Sequence, residues 1–186
     1  MKDILTTLRL VILSLIVCCV LYPAVLLAFG QIVVPWKASG SLIRQGNGTI
    51  LGSAQLAQAF TQPRYFWPRP SAVDYDASAT GGSNLSPTNP LLTERAQALI
   101  GRYGLQEGQR IPADLVADSG SGMDPHITIE AARFQAPRVA SVRNLPLERV
   151  SQLIEQHTEV PMLRVFGGEP VVNVLKLNIV LDAQLR

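Results

Sequence analysis

Residues 8–29 read LRLVILSLIVCCVLYPAVLLAF, and after Arg9 the chain carries no formal charge from residue 10 to residue 36. A helix rises about 1.5 Å per residue, so about 20 apolar residues cross the roughly 30 Å hydrocarbon core of a bilayer. From Lys37 onwards the chain has regular charges and many glycines and prolines. The sequence therefore predicts a membrane-anchor helix in residues 1–36, followed by one compact water-soluble domain in residues 37–186.

A cleaved secretory signal is the alternative interpretation of the apolar stretch. The apolar part of a signal runs about 7–15 residues and ends at a site with small residues. Here the run is longer, and cleavage after Ala28 would place the large Leu26 three residues before the cut. A lipoprotein signal is disfavoured as well, because Val17 precedes Cys18 where a small residue belongs. We expect a retained helix with a kink at Pro23, since membrane helices tolerate proline.

The charges beside the helix predict its orientation. Lys2, Arg9 and the amino terminus precede it, against Asp3, whereas Lys37 and Arg44 follow at wider spacing. Lysine and arginine next to a membrane span tend to stay in the cytoplasm. We therefore predict that the N-terminus lies in the cytoplasm and that the C-terminal domain lies outside it.

Charge and cysteine content exclude several classes of function. The chain has 16 basic and 14 acidic residues and no basic stripe, so a nucleic-acid partner is not expected. Both cysteines, Cys18 and Cys19, lie in the apolar run, so the C-terminal domain has neither a disulfide scaffold nor a thiolate metal site. The GxxxxGK[ST] phosphate loop, the HExxH zinc motif and the GxSxG nucleophile motif are all absent from the sequence.

The C-terminal part has the pattern of a mixed α+β domain. Apolar residues at spacings of three and four predict helices at residues 54–60, 91–103, 128–142 and 147–157. Pro137 predicts a break or kink in the third of these. From Leu175 to Leu181 every second residue is apolar, which predicts a C-terminal strand that pairs with residues 162–166 as a hairpin.

Residues 61–90 have almost no periodicity and contain five prolines. A long irregular segment inside a compact domain is uncommon and usually functional. Its aromatic residues Tyr65, Phe66, Trp67 and Tyr75 favour burial, so we expect an ordered loop that these side chains hold in place.

Polar residues gather in two loops, GGSNLSPTNP at residues 81–90 and DSGSGMDPH at residues 118–126. Asp124, His126 and either Ser119 or Ser121 are the residue types of a hydrolytic site, and Asp118, Asp124 and His126 are possible metal ligands. Alternatively, these side chains bond nearby backbone, as loop residues commonly do, and His126 is structural. We favour the structural interpretation, because nothing in the sequence places a base beside a serine. We expect no catalytic residue and no metal site.

Several motifs in fixed order resemble the C subunit of the Kdp-type potassium-transporting P-type ATPases. They are YFWPRPSA at residues 65–72, GSNL at 82–85, PTNP at 87–90 and SGSGMDPHI at 119–127, then Ala131, Ala132, Gln135, residues 138–140, Arg143, residues 172–175 and residues 177–178. The departures from the family pattern are Ser86 for glycine, Asp118 for a small residue, Met123 for leucine and Thr128 for serine. None of them removes a charged group of the motifs.

The resemblance implies an accessory subunit of a pump in the bacterial cytoplasmic (inner) membrane. Such pumps contain a channel-like potassium-binding subunit, a phosphorylated ATPase subunit and a small additional membrane peptide, and ATP, magnesium and potassium belong to those partners. The chain agrees in lacking the DKTGT phosphorylation sequence. The family role is described as a catalytic chaperone that raises the ATP affinity of the pump.

The nucleotide contact suggested for the region of Gln135 conflicts with the predicted topology, because ATP is not found outside the cytoplasm. We therefore favour assembly of the pump and a cap over the ion entrance. A stand-alone membrane-anchored hydrolase or ligand-binding domain is the alternative from another class. From the residues alone, Gln135 and Arg138 are expected to bond the backbone freed by Pro137.

The motif residues expected at interfaces or in structural loops are Tyr65, Arg69, Ser83, Asn84, Thr88, Asn89, Ser119, Ser121, Asp124 and His126.

Overall fold

The computed structural model describes residues 2–105, 108–160 and 168–184. By internal contacts the chain divides into two compact units, Met1–Ser53 and Ala54–Arg186. The first unit thus includes residues beyond position 36, where the sequence predicts the domain boundary, and that boundary stays a prediction.

The first unit contains one long helix. It consists of α1 (Lys2–Leu15), a π-helical turn (Ile16–Leu21) and α2 (Tyr22–Val33). Its 32 residues extend about 48 Å at about 1.5 Å each. By length and composition it can cross a membrane, and in the described ranges it is the one helix with this property.

The π-helical turn lies directly before Pro23. Proline has no N–H, and its ring clashes with the carbonyl group four residues earlier, here that of Cys19. A wider turn, in which Tyr22 N–H donates to the Val17 carbonyl, provides room for the ring. The irregularity expected at Pro23 is therefore a wide turn, after which the helix continues.

The first unit ends in a short helix and a hairpin. Helix α3 (Pro35–Ala38) precedes the antiparallel strands β1 (Leu42–Arg44) and β2 (Ile50–Ser53). The indole Nε1 of Trp36 donates to the Leu42 carbonyl at 3.2 Å, which joins α3 to the hairpin.

The second unit is a mixed α/β domain, the class that the sequence predicts. Its elements are α4 (Pro90–Tyr103), a 3-10 turn (Ala113–Leu115), β3 (His126–Thr128), α5 (Ile129–Arg143), α6 (Leu147–Gln156), β4 (Thr158–Glu159), β5 (Val171–Asn173) and α7 (Val174–Ala183). The strands form an antiparallel sheet in the order β3-β5-β4.

Helix α5 lies at the centre of the core. Its buried face is largely alanine, which lets neighbouring elements approach closely. The core residues from the other elements are Phe66, Leu115, Ile127, Val150, Leu153, Ile154, Val172, Val174, Leu177 and Leu181.

Helices α4, α5 and α6 confirm the helices that apolar spacing predicts at residues 91–103, 128–142 and 147–157. The Asn89 side chain accepts the Leu91 N–H at 2.9 Å at the start of α4, and Gly104 ends that helix in the left-handed conformation, with φ at 62°. Thr128 Oγ1 accepts the Ala131 N–H at 3.1 Å at the start of α5. These caps stabilise helix ends whose N–H groups lack intrahelical partners.

The ordered loop predicted before α4 is also confirmed. Residues 61–89 contain no helix or strand, only isolated bridges at Ser71 and Thr80. Phe66 and Trp67 are 0% and 5% exposed, so the loop is attached to the core through its aromatic side chains.

The C-terminal strand predicted from Leu175 to Leu181 is wrong, because these residues belong to α7. Asn173 begins that helix by accepting the Lys176 N–H at 3.1 Å. The alternating apolar residues also fit a helical spacing of three and four residues. The buried residues form one helical face, made of Val174, Leu175, Leu177, Asn178 and Leu181, whereas Ile179 of the alternating set is only partly buried.

The helix predicted at residues 54–60 is also wrong. Residues 54–60 form a turn and irregular chain rather than a helix, and the Ala57 N–H instead donates to the Gly122 carbonyl at 3.1 Å. Of the break or kink predicted at Pro137, the break does not occur, because buried residues on both sides hold α5 in the core; the kink stays a prediction. The predicted strand at residues 162–166 lies outside the described residues.

Candidate functional site

The long loop of residues 61–90, which includes the first polar loop, is joined to the second polar loop, residues 118–126, by backbone hydrogen bonds. The Ala72 N–H donates to the Ser119 carbonyl at 3.1 Å, and the Ser119 N–H donates to the Pro70 carbonyl at 2.7 Å. Further along, the Gly81 N–H donates to the Gly120 carbonyl at 2.8 Å. The loops therefore stabilise each other through main-chain groups.

Gly122 lies where the second loop passes closest to the first. A Cβ atom there would overlap the backbone carbonyl of Asp76 and lie 2.9 Å from the backbone nitrogen of Ala77. Backbone cannot move aside as a flexible side chain does, so this position requires glycine.

Arg69 and Asp124 form an ion pair between the loops. Arg69 Nη1 lies 2.9 Å from Asp124 Oδ2, and Arg69 Nη2 donates to the Asp118 carbonyl at 3.4 Å. The Tyr75 hydroxyl donates to the Arg69 carbonyl at 3.0 Å. Both charged side chains are about a quarter to a third exposed, so the pair contributes more to geometry than to stability.

The motif serines bond backbone within their own loop. Ser119 Oγ donates to the Ser121 carbonyl at 3.3 Å, and Ser121 Oγ accepts the Met123 N–H at 2.9 Å. Asp124 Oδ1 accepts the backbone N–H of His126 at 3.4 Å. These are the local bonds of the structural interpretation.

The imidazole of His126 faces a carboxylate. His126 Nε2, on β3, is 3.6 Å from Glu159 Oε2 on β4, and Lys176 Nζ is 2.6 Å from Glu159 Oε1. Partial burial raises the pKa of Glu159, but the hydrogen bond and charge of Lys176, together with His126, outweigh it and the net pKa is lowered. His126 thus belongs to a charged cluster on the sheet.

Gln135 and Asn178 hold the aromatic loop through their side-chain amides. Gln135 accepts the Trp67 N–H at 2.8 Å and donates to the Trp67 carbonyl at 3.0 Å. Asn178 bonds Phe66 in the same way, at 2.9 and 3.0 Å. Both amides are 1% exposed. The expectation that Gln135 bonds backbone freed by Pro137 is wrong, because its partner is the neighbouring loop.

Arg138 binds the same loop. It donates to the Tyr65 carbonyl at 3.0 Å and to Gln135 Oε1 at 2.7 Å. Its guanidinium carbon lies 3.7 Å from the centroid of the Trp67 ring, and that of Arg102 lies 3.9 Å from it. Burial lowers the pKa of Arg138 to about 10, so the group stays charged at neutral pH. These partners again differ from the expected backbone near Pro137.

Tyr65 binds a charged pair on two helices. Its hydroxyl donates to Asp182 Oδ2 at 3.0 Å, and Arg143 Nη2 donates to Asp182 Oδ1 at 2.8 Å. The predicted C-terminal strand would place Asn178 and Asp182 on its solvent side, so the sequence analysis did not identify them as partners of the loop. Their separation of four residues, a helical spacing, is the signal that could have identified them.

Ser83 and Asn84 are exposed, and no hydrogen bond of either side chain appears among the described residues. Asn84 adopts the left-handed conformation, with φ at 49°. Together with α4 and residues 113–118 they line a groove of 530 Å³, and the ion pair of Arg95 and Asp118 belongs to its lining. We call it the α4 groove.

Comparison with known proteins identifies the relatives of this chain. The family model described as the K+-transporting ATPase c chain, KdpC, matches residues 4–183. The chain belongs to the KdpC family.

Curated relatives named potassium-transporting ATPase KdpC subunit match almost end to end. The protein of Parvibaculum lavamentivorans is 45% identical over 182 residues, covering 98% of this chain and 97% of the relative. That of Gloeobacter violaceus is 43% identical over 186 residues, covering 100% and 98%. That of Synechocystis sp. is 46% identical over 189 residues, covering 97% and 98%. The chain is thus a KdpC subunit of a potassium-transporting ATPase.

In this KdpC chain the predicted site residues fall into three groups. Arg69, Ser119, Ser121 and Asp124 meet where the loops join. Tyr65 donates to Asp182, the imidazole of His126 lies 3.6 Å from the Glu159 carboxylate, and Asn89 caps α4. Ser83, Asn84 and Thr88 are exposed, and the Thr88 hydroxyl lies 3.1 Å from that of Ser86.

The geometry of the KdpC loops offers no assembled nucleophile and base. The hydroxyl groups of Ser119 and Ser121 contact backbone, and the partner of the His126 ring is Glu159. Within the described ranges, no three His, Cys, Asp or Glu side chains are grouped so as to hold a metal ion.

Proposed function

We propose that this KdpC chain is a non-catalytic accessory subunit of an ATP-driven potassium import pump, which supports assembly of the complex and covers the ion entrance. The observation that carries this proposal is how the motif residues are used. Arg69, Ser119 and Asp124 are occupied in joining the loops, whereas Ser83 and Asn84 face solvent without partners in the described chain. Such an arrangement suits a rigid docking surface better than a reaction site.

The proposed partners are a channel-like potassium-binding subunit, a phosphorylated ATPase subunit and a small membrane peptide. ATP, magnesium and potassium would bind to those chains. The helix Lys2–Val33 would cross the bacterial cytoplasmic membrane once, with its N-terminus in the cytoplasm and the α/β domain outside.

An effect of this subunit on the ATP affinity of the pump would then pass through the partner subunits. Both polar atoms of the Gln135 amide already bond Trp67, and the side chain is buried. Contact between Gln135 and a nucleotide would leave the Trp67 backbone without partners, at a cost of about 1–3 kcal/mol for each group. We therefore assign Gln135 a structural role and propose an indirect chaperone effect.

Purification in mild detergent tests the accessory role. The tagged full-length chain should co-purify with two larger hydrophobic chains, and potassium-stimulated ATPase activity should require its presence. Replacement of His126 by alanine should lower the yield of the complex, whereas His157→Ala, in the second of the two histidines, serves as the control.

The hydrolase alternative makes the opposite prediction. If the purified chain alone hydrolyses ATP or an ester, and His126→Ala abolishes that hydrolysis, the accessory role is rejected.

A further inference from the structure

The α4 groove has an apolar base and a polar rim. The half-buried Leu92, Ala96 and Val116 form its base, and the exposed Ser83 and Asn84 lie on the rim. Its volume of 530 Å³ is within the usual range for binding clefts.

The charges of the α4 groove neutralise each other. Arg95 and Asp118 are the two charged residues in its lining, and they form an ion pair with each other. The Asp118 side chain is 10% exposed, so little of its charge is available to a ligand. An anion would compete with Asp118 for Arg95, and a cation would compete with Arg95 for Asp118. The groove therefore favours an uncharged ligand.

The rim offers donors and acceptors that the chain itself does not use. Residues 82–85 lie outside any helix or strand, and their backbone groups make no hydrogen bond to another described residue. The Ser83 hydroxyl and the Asn84 amide are likewise unbonded within the described chain. Neutral N–H, C=O, hydroxyl and amide groups next to an apolar base match the chemistry of a peptide backbone with small apolar side chains.

We propose that the α4 groove binds an extended, uncharged segment of another subunit of the pump. The backbone of that segment would bond residues 82–85 and the Asn84 amide, and a small apolar side chain would contact Ala96 and Val116. This inference rests on the accessory role proposed above and names the surface through which the subunit docks.

Two alanines of α4 provide a matched pair of variants. Ala96 is half-buried in the groove, and Ala98 is exposed two residues later on the same helix. Ala96→Arg would fill the groove with a charged side chain, whereas Ala98→Arg adds the same group outside it. We expect Ala96→Arg to weaken retention of the partner subunits on the tagged full-length chain about tenfold, and Ala98→Arg to change it less than twofold.

Photo-crosslinking of the intact complex identifies the occupant, even where a variant folds poorly. Benzoylphenylalanine is placed at Ser83, with the exposed Glu148 on α6 as the control position. Ultraviolet light should join position 83 to one segment of a larger pump subunit, identified by mass spectrometry, at a yield at least fivefold above position 148.

The inference is overturned if position 83 crosslinks to lipid or to a second copy of this chain, or no more than position 148 does. Equal retention by the Ala96→Arg and Ala98→Arg chains also overturns it. If wild-type chain co-purifies with the larger subunits in these cases, the accessory role stands and the groove assignment alone fails. Loss of co-purification by the wild type would reject the accessory role itself.

Discussion

At the scale of single residues, two buried amides take the place of a neighbouring strand. Residues 66 and 67 have no sheet partner, yet each has its N–H and C=O bonded, one to Asn178 and the other to Gln135. Buried backbone groups are costly when unpaired, so these side chains hold the aromatic loop against α5 and α7.

Gln135→Leu should destabilise the domain. The leucine fills much of the space but bonds neither the N–H nor the C=O of Trp67, and each buried group left unpaired costs about 1–3 kcal/mol. The measurement is the urea unfolding midpoint of the full-length chain in detergent. Gln152→Leu, on the exposed side of α6, is the control and should change stability by less than about 0.5 kcal/mol. Equal midpoints for both variants would contradict the role of the amide.

Gly122→Ala should also destabilise the chain, by at least about 2 kcal/mol, because the added methyl group overlaps the backbone of Asp76. Gly101→Ala is the matched control. Gly101 lies within α4 with open space around it, so alanine there should stabilise the helix by up to about 1 kcal/mol. Thermal unfolding measures the change in melting temperature of each variant relative to wild type, which should be negative for Gly122→Ala and positive for Gly101→Ala. A Gly122→Ala chain as stable as wild type would show that the loops separate easily.

At the scale of elements, the helices and strands that could be predicted are those fixed by residues close to one another in the sequence. Helices α4 and α5 could be predicted because their caps, Asn89 and Thr128, lie beside the residues they cap. Helix α7 could not be predicted, because its leucines fit both the two-residue repeat of a strand and the three- to four-residue repeat of a helix. Burial against the core decides between the two. The bonds from Gln135 to Trp67 span 68 residues, and no local pattern shows them. The exposure of Ser83 and Asn84 was likewise invisible in the motif itself.

The prediction at this scale concerns the contribution of the anchor helix to assembly. Replacement of residues 10–34 by an unrelated apolar helix of equal length should preserve membrane insertion, which depends on length and hydropathy. Recovery of the partner subunits should fall partially, because helices in lipid associate through shape rather than hydrophobic drive. Co-purification and potassium-stimulated ATPase activity are compared with wild type. Unchanged values for both would show that the helix serves only as a tether.

At the scale of the whole molecule, the chain combines one apolar helix with a nearly neutral α/β domain. The formal net charge is +2, and the basic residues are dispersed rather than clustered on one element. Membrane attachment is therefore expected to depend on the helix, without a polybasic contribution from the domain.

The predicted orientation is tested by labelling single cysteines in a chain whose Cys18 and Cys19 are replaced by serine. An impermeant thiol reagent applied to intact cells should label a cysteine at the exposed Ser78 and leave one at Lys2 unlabelled, because the positive charges before the helix keep that end in the cytoplasm. Lysed cells, in which both positions should react, provide the control. Labelling at position 2 alone in intact cells would contradict the predicted topology and place the N-terminus outside the cytoplasm.

The wide turn before Pro23 has a consequence for the neighbours of the anchor helix. One extra residue in a turn rotates everything after it by about 100° relative to an uninterrupted helix. The side of α1 that faces a given direction therefore does not continue as the same side of α2. A straight neighbouring helix would contact one face of the anchor helix before residue 16 and a different face after residue 21. The two halves of the anchor can thus present independent surfaces, one in each leaflet, to two different neighbours.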